Sequence, residues 1–243
     1  MDKQRLYDNM AARKSKPEHD LPYNGGNGRI DKCIRFMKQG KIKTGGTLLD
    51  VGGSIGDLGY ASRDLFSKRI IVDISSQQLK SAEKKGCDTL QTDVDKCGFL
   101  GIVDNEIDVV TALDFIEHII DPEFFAQESF RVLKTGGEIF INTPNIEYFE
   151  HFNSLVINGM FPHTSGDKEV YHGGHLAFYG KYDLDVIFGK AGFVGMEQIR
   201  DEEGFRQPQE FWLNLRKPRS QSEYVQTCER LGNPNLLFKA VKP

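Results

Sequence analysis

A short aliphatic run that ends in a carboxylate and breaks into glycines constrains this chain more than anything else in it. The run is Leu48-Leu49-Asp50-Val51-Gly52-Gly53-Ser54-Ile55-Gly56, and Ile71-Val72-Asp73 follows it. Thr47 to Val51 reads as a buried strand, because it is short, apolar and bounded by Gly45-Gly46 and Gly52-Gly53. Gly52, Gly53 and Gly56 remove side chains where a ligand must lie against backbone, and they accept dihedrals that other residues resist. Asp57 to Ser67 then places Leu58, Ala61, Leu65 and Phe66 at helical spacing, so the turn is expected to open a helix. Arg69 to Asp73 reads as a second strand whose last residue, Asp73, is placed to accept the two hydroxyls of a ribose. Strand, glycine turn, helix and distal carboxylate are how an open α/β sheet builds a nucleoside pocket at its carboxyl edge.

The pattern continues downstream. Leu90 to Val94 reads as a third strand with Asp93 near its end, and Ile107 to Leu113 as a fourth, followed by Asp114, Glu117 and His118. A helix over about Pro122 to Leu133, a Gly136-Gly137 turn and a fifth strand, Glu138 to Asn142, come next. The segments LLDVGGSIGDLG, IIVDIS, LQTDV, DVVTALDFIEHIIDP and RVLKTGGEIFINTPN, in this order between Thr44 and Asn145, resemble a class I S-adenosylmethionine-dependent methyltransferase. HLAFYGKYDLDVIFGKAGF, within His175 to Ile199, is similar to the late helix and strand of that family. The fold this implies is a doubly wound, Rossmann-like α/β domain. Its sheet has seven strands, mostly parallel with an antiparallel final strand, and carries cap insertions.

Carried over by position, the resemblance implies that Asp50, Gly52 and Gly56, with Gly53 and Ser54 between them, line the methionine portion of S-adenosyl-L-methionine or its product S-adenosyl-L-homocysteine. Asp73 would hold the ribose with Ile74 beside it, and Asp93 would face the adenine amino group with Val94 adjacent. Leu113 and Asp114 would lie beneath the cofactor, where the acceptor approaches. Ser54 stands where the family usually has glycine, which implies a slightly wider turn or a hydroxyl contact to the cofactor.

Composition fits one α/β domain with additions. The chain has 243 residues and a net charge of -4 from 31 basic and 35 acidic side chains, so no long-range field draws it toward nucleic acid. No stretch approaches the ~20 apolar residues of a membrane span, and the N-terminus lacks the apolar core of a signal peptide, so a cytoplasmic protein is expected. Cys33, Cys87, Cys97 and Cys228 show no metal-ligand spacing and read as reduced thiols.

Three variable regions remain. Residues 1–28, polar and ending in Asn24-Gly25-Gly26-Asn27-Gly28, read as an arm, disordered or acting as a lid with Tyr7 or Tyr23 over the cofactor, before a helix over Arg29 to about Gln39. Residues 29–243 form the methyltransferase domain, with cap segments at 146–174 and 201–235. The first cap segment carries Tyr148, His151, Phe152, Phe161, His163, Tyr171 and His172, with His175 just beyond, and looks like an acceptor pocket; Phe152, Leu155, Val156 and Ile157 are expected to form an added helix packed on the sheet. The second carries Phe205, Phe211, Trp212 and Leu215, then Arg216, Lys217 and Arg219. It reads as a cap or as an oligomer surface, which leaves a homodimer open, and its basic cluster as a contact for an acceptor phosphate or carboxylate.

These features lead to a methyltransferase acting on an oxygen or nitrogen of a small polar metabolite, sugar- or nucleotide-linked in one version. A hydroxyl acceptor calls for a general base, and the imidazoles His163, His172, His175 and His118 are the candidates; for His118, a structural role is an equal alternative. No metal is expected, since His172 and His175 alone make an incomplete shell. Two rivals are a nicotinamide-dependent oxidoreductase, which shares the first strand, turn and acidic residue, and a non-catalytic subunit that binds cofactor for a partner.

Overall fold

Strand β1 (Gly46–Val51) sends successive side chains to opposite faces of a sheet, and both faces are covered. Leu48 packs into one core, while Leu49 and Val51 pack into the other. The computed structural model describes residues 8, 22–40, 42, 44–99, 101–160, 174–199, 205–211, 213 and 217–243. Strand β1 pairs in parallel with β2 (Phe66–Asp73) on one side and β4 (Ile107–Leu113) on the other. Beyond them lie β3 (Asp88–Gln91) and β5 (Leu133–Pro144), both parallel to their neighbours. The last strand, β7 (Asn235–Val241), inserts antiparallel between β5 and β6 (Val194–Ile199), completing a seven-stranded sheet in the order β3-β2-β1-β4-β5-β7-β6. The strand order reverses between β1 and β4, and open α/β sheets bind ligands at the carboxyl end of such a switch point.

Helix α1 (Gly28–Gln39) buries Ile30, Cys33, Ile34 and Met37, a single stripe at helical spacing, against Leu48, Val109, Phe140 and Leu237. The side chain of Asn27 caps it by accepting from the Arg29 amide. On the same face, α2 (Asp57–Ala61) adds Leu58, and α3 (Ser76–Lys84) packs Leu79 and Ala82 on Ile71 and Cys87. The opposite face is covered by the short α4 (Val94–Cys97), α5 (Pro122–Val132) and α7 (Lys181–Ala191), whose Phe125 and Phe188 meet Phe99, Phe193 and Phe238 in the larger core. Among the described residues no helix is long and apolar enough to cross a membrane.

Several boundaries differ from the sequence expectation. Helix α2 stops at Ala61, because the Ser62 hydroxyl bonds the Gly59 carbonyl and the chain turns; Phe66 instead begins β2, paired with Gly46. Strand β3 ends at Gln91, and Asp93 is the N-cap residue of α4. Strand β5 starts at Leu133 and carries Gly136-Gly137 as an irregularity, where a Cβ at Gly137 would stand 2.8 Å from the Lys134 carbonyl oxygen.

The expected helix on the sheet is a correction. Only Phe149–Phe152 is α-helical (α6), and a π-helical stretch, Asn153–Ile157, leaves Leu155, Val156 and Ile157 more than half exposed. The reason is that the two cap segments pack on each other. Tyr148, Phe149 and Phe152 from the first join Phe205, Leu213, Cys228 and Leu231 from the second, the last two on α8 (Gln221–Gly232), in a separate small core. Fully buried Asn145, just past β5, fastens the pair: its side-chain amide donates to the carbonyls of Arg230 (2.7 Å) and Asn233 (2.8 Å). Glu147 adds an ion pair to Arg230 and Glu150 one to Arg206.

Removing the Asn145 amide strands two carbonyls that it satisfies. Asn145→Ala should cost about 2–4 kcal/mol in urea unfolding, with cap signals lost ahead of the sheet.

Candidate functional site

The turn after β1 keeps glycine geometry even where the residue is not glycine. Gly52 and Gly56 have φ of 70° and 76°, and Ser54 has φ of 53°. At Ser54, then, a serine occupies a left-handed position. A Cβ on Gly53 would stand 2.5 Å from Oδ2 of Asp50, and one on Gly52 would strike the Phe115 ring at 2.5 Å, so neither position has room for a side chain. Asp73, at the end of β2, locks the turn from outside by accepting from the amides of Ser54 (3.1 Å) and Ser75 (2.8 Å).

Behind this turn lies a cavity of about 380 Å³ lined by Arg29, Asp50, the Gly52–Ser54 backbone, Leu113 and Asp114, and extending to Gln77, Gln78 and Ser81 of α3. Asp50, Gly52, Gly53, Ser54, Leu113 and Asp114 are thus brought together as the sequence led us to expect. Asp73 adjoins them through its bond to Ser54 and through the Thr92 amide, which donates to its carbonyl. Gly56 works differently: it is the N-cap of α2, where a Cβ would crowd Ala82. Ile74, Asp93 and Val94 lie farther along the edge, and the Val94 side chain is buried in the core.

Asp50 is 2 % exposed and points to the face that also carries its cross-strand neighbour Thr111, whose hydroxyl donates to Oδ1 at 2.8 Å. Burial pushes its carboxyl up to about 7, the Thr111 bond pulling the other way. Burial also raises Asp73, against the lowering effect of its amide donors. Across the cavity, Arg29 of α1 forms an ion pair with Asp114. Asp114 itself holds a left-handed φ of 52°, fixed by its amide donating to the Asn142 carbonyl (2.8 Å) and by the Asn142 side chain donating to its Oδ1 (2.7 Å).

One turn beyond Asp114, a 3-10 helix (Ile116–His118) puts Glu117 into the interior at 1 % exposure. Thr143 donates to its Oε2 at 2.9 Å, and burial pushes the carboxyl up to about 7. The backbone carbonyl of Glu117 receives the amides of Leu176 and Ala177, which draws the 174–177 loop inward. His175 Nε2 consequently stands 4.0 Å from Glu117 Oε1, and the His118 and His175 ring centroids are 4.7 Å apart. Of the four candidate imidazoles the structure brings these two together; His163 and His172 lie outside the described residues. The ligand atoms of Glu117, His118 and His175 all fall within 4.8 Å of one another, a set able to hold a metal ion, with Glu117 as the acidic partner that the His172–His175 pair lacked.

Tyr23 is tied to α1, its hydroxyl donating to Asp31 at 2.9 Å, while Tyr7, Trp212, Leu215 and Arg216 fall outside the described residues. Lys217 and Arg219 are exposed. Arg29, Thr111 and Asn142 were not singled out in the sequence. Thr111, a hydroxyl within an apolar strand, carried a readable signal. Arg29 carried none, since its partner lies 85 positions away.

Residues 49–141 match the methyltransferase domain family. Over that span the chain is similar to a methyltransferase domain. Among curated relatives, the ubiquinone biosynthesis O-methyltransferase of Idiomarina loihiensis is 32% identical over 105 residues, 42% of this chain and 43% of that protein. The chain therefore matches less than half of that relative's length. The ubiquinone/menaquinone biosynthesis C-methyltransferase UbiE of Geotalea daltonii is 27% identical over 187 residues, 68% of this chain and 77% of that protein. Among solved structures, the methyltransferase complex with the Haloferax volcanii Trm112 activator superposes with a TM-score of 0.63 at 19% identity, covering 99% of this chain and 97% of that one. Phosphoethanolamine N-methyltransferase 2 of Haemonchus contortus, crystallised with S-adenosyl-L-methionine, gives 0.56 at 19% identity over 91% of this chain and 54% of that one. These likenesses establish the fold. The family's cofactor fits the site: the turn excludes every Cβ at Gly52 and Gly53, and an acidic wall faces the space a cationic ligand would fill.

Two measurements probe this geometry. Ser54→Gly should gain up to about 1 kcal/mol in urea unfolding and Ser54→Val should lose about 1–2 kcal/mol, since only the first relieves the left-handed φ. Asp50 and Glu117 both titrate near 7 when folded, against ordinary values of 3.8 and 4.5, so the folded state holds protons that the unfolded chain has already lost. Their stabilising contribution is full below the ordinary carboxylate range and is lost as pH rises through about 7. The ligand-free Tm should fall across that interval, and Asp50→Asn should flatten the fall.

Proposed function

We propose that this chain transfers a methyl group from S-adenosylmethionine to an oxygen or nitrogen of a small polar acceptor, oxygen foremost. The observation that carries the reading is the adjacency of two parts: an acidic cavity at the β1–β4 switch point, and the Glu117–His118–His175 group, with Glu117 buried, one turn beyond its floor residue Asp114. The relatives named as ubiquinone biosynthesis O-methyltransferases support oxygen. None of those named supports a sugar or nucleotide link.

When bound, S-adenosylmethionine supplies a methyl group on a positively charged sulfur that is already a good leaving group. The protein's work is therefore alignment in a dry site. Asp73, fixed by two amides, retains acceptor capacity for ribose hydroxyls, and Asp93 is kept for the adenine amino group. Asp50 offers a buried negative charge to the cationic end of the ligand, and the Arg29 guanidinium suits its carboxylate. Leu113 and the strained Asp114 form the floor toward the acceptor. A hydroxyl acceptor must lose its proton, and Glu117, His118 and His175 form the group placed to manage that loss.

Residues 1–28 serve as the lid in this reading. The supporting contact is the Ser75 hydroxyl donating to Asp8 at 2.6 Å, next to Asp73.

Calorimetric titration of S-adenosyl-L-homocysteine tests the cofactor site. Asp73→Ala should weaken binding by at least about tenfold, or ~1.4 kcal/mol, while the melting transition survives; affinity equal to that of the unaltered chain would remove the basis of the proposal. Mass spectrometry of candidate acceptors should then detect the gain of one methylene.

A further inference from the structure

We infer that Glu117, His118 and His175 bind a single divalent first-row cation of the zinc class on the acceptor side of the cleft. The three residues come from two separate segments, the 3-10 helix after β4 and the loop before α7, and meet because the Glu117 carbonyl captures the amides of Leu176 and Ala177. Their donor atoms all lie within 4.8 Å of one another.

The decisive observation is Glu117. It is 1 % exposed, Thr143 satisfies one of its carboxylate oxygens, and the other, Oε1, accepts no hydrogen bond among the described residues. A buried carboxylate oxygen without a donor is costly. His175 Nε2 is 4.0 Å from it, too far for a hydrogen bond. Tetrahedral coordination at ~2.1 Å sets neighbouring donors roughly 3.4 Å apart, so a closure of about half an ångström seats an ion between these two atoms. The same arrangement is poor for direct proton exchange between them.

The donor set selects the class of ion. Two imidazole nitrogens and one carboxylate oxygen suit zinc and its first-row neighbours, whereas magnesium and calcium favour shells made of oxygen. Three protein ligands leave a position open for water or an acceptor oxygen. This consequence rests on the methyl-transfer reading; ion binding itself does not. An acceptor hydroxyl at that position would give up its proton to solvent more readily, because the cation stabilises the resulting oxyanion.

The test uses the full chain stripped with chelator and titrated calorimetrically with zinc chloride, without cofactor or acceptor. One saturable site of micromolar or tighter affinity is expected, weakened at least about tenfold in both Glu117→Gln and His175→Ala, since even outer-shell changes cost that much at metal sites. Cobalt loaded into the unaltered chain should give visible d–d absorption that zinc bleaches, a readout that needs no variant to fold. The absence of saturable zinc binding and of the cobalt spectrum overturns the inference, as does undiminished affinity in both variants, which would put the ion elsewhere. S-adenosyl-L-homocysteine titrated into the same stripped protein separates the two claims. Thioether binding without zinc binding sinks the metal site alone; zinc binding without thioether binding sinks the methyl-transfer reading and leaves the metal site standing.

Discussion

A carboxylate buried beneath a backbone turn organises this molecule. Asp50 is held at 2 % exposure on the penultimate position of β1, with one hydroxyl donor and the Gly53 backbone pressed against it. Such a group is tolerated because ligand-free it can keep its proton, and because the surrounding strands leave it no alternative position. The parallel pairing of β1 with β4 puts Thr111 directly opposite, and Gly53 removes the Cβ that would collide with the carboxylate. The site is therefore poised for a cation: the desolvation that raises its proton affinity equally raises its attraction for a positively charged ligand.

Left-handed backbone gathers along the carboxyl edge, beside the buried Glu117. Ser54 and Asp114, two of the four described non-glycine residues with positive φ, flank the cavity, and Glu117 lies just beyond. Each is fixed by bonds from a neighbouring element: Ser54 by Asp73, Asp114 by Asn142, Glu117 by Thr143. Backbone held in sparsely populated regions survives only where its surroundings over-determine it, and such places concentrate at functional sites. The cap segments follow a different logic. They meet the sheet edge through Asn145 but bury their aromatic residues against each other, so the two caps share a small core of their own.

Much of the fold could be read in the chain. Strands at Thr47–Val51 and Ile107–Leu113 were legible because parallel strands buried on both faces are continuous apolar runs bounded by glycine or polar turns. Boundaries set by side chain-to-backbone bonds were not: Ser62 ends α2 early, and Gly136-Gly137 reads as a turn although β5 runs through it. The residues 152–157 were misassigned to the sheet because an apolar cluster does not reveal which surface covers it. In the site, the glycine turn and its aspartates follow from local order. Arg29 and the convergence of His175 on Glu117 depend on segments tens of residues apart.

The sequence by itself determined the first strands, the glycine turn that opens the cavity and the carboxylates at the strand ends, since these rest on hydrophobic period and glycine placement, both short-range properties. Only the tertiary structure decided which polar groups face one another. Asp114 meets Arg29, Glu117 meets two imidazoles, and the two caps fuse through Asn145, because burial and hydrogen-bond satisfaction act between elements that the chain order keeps apart.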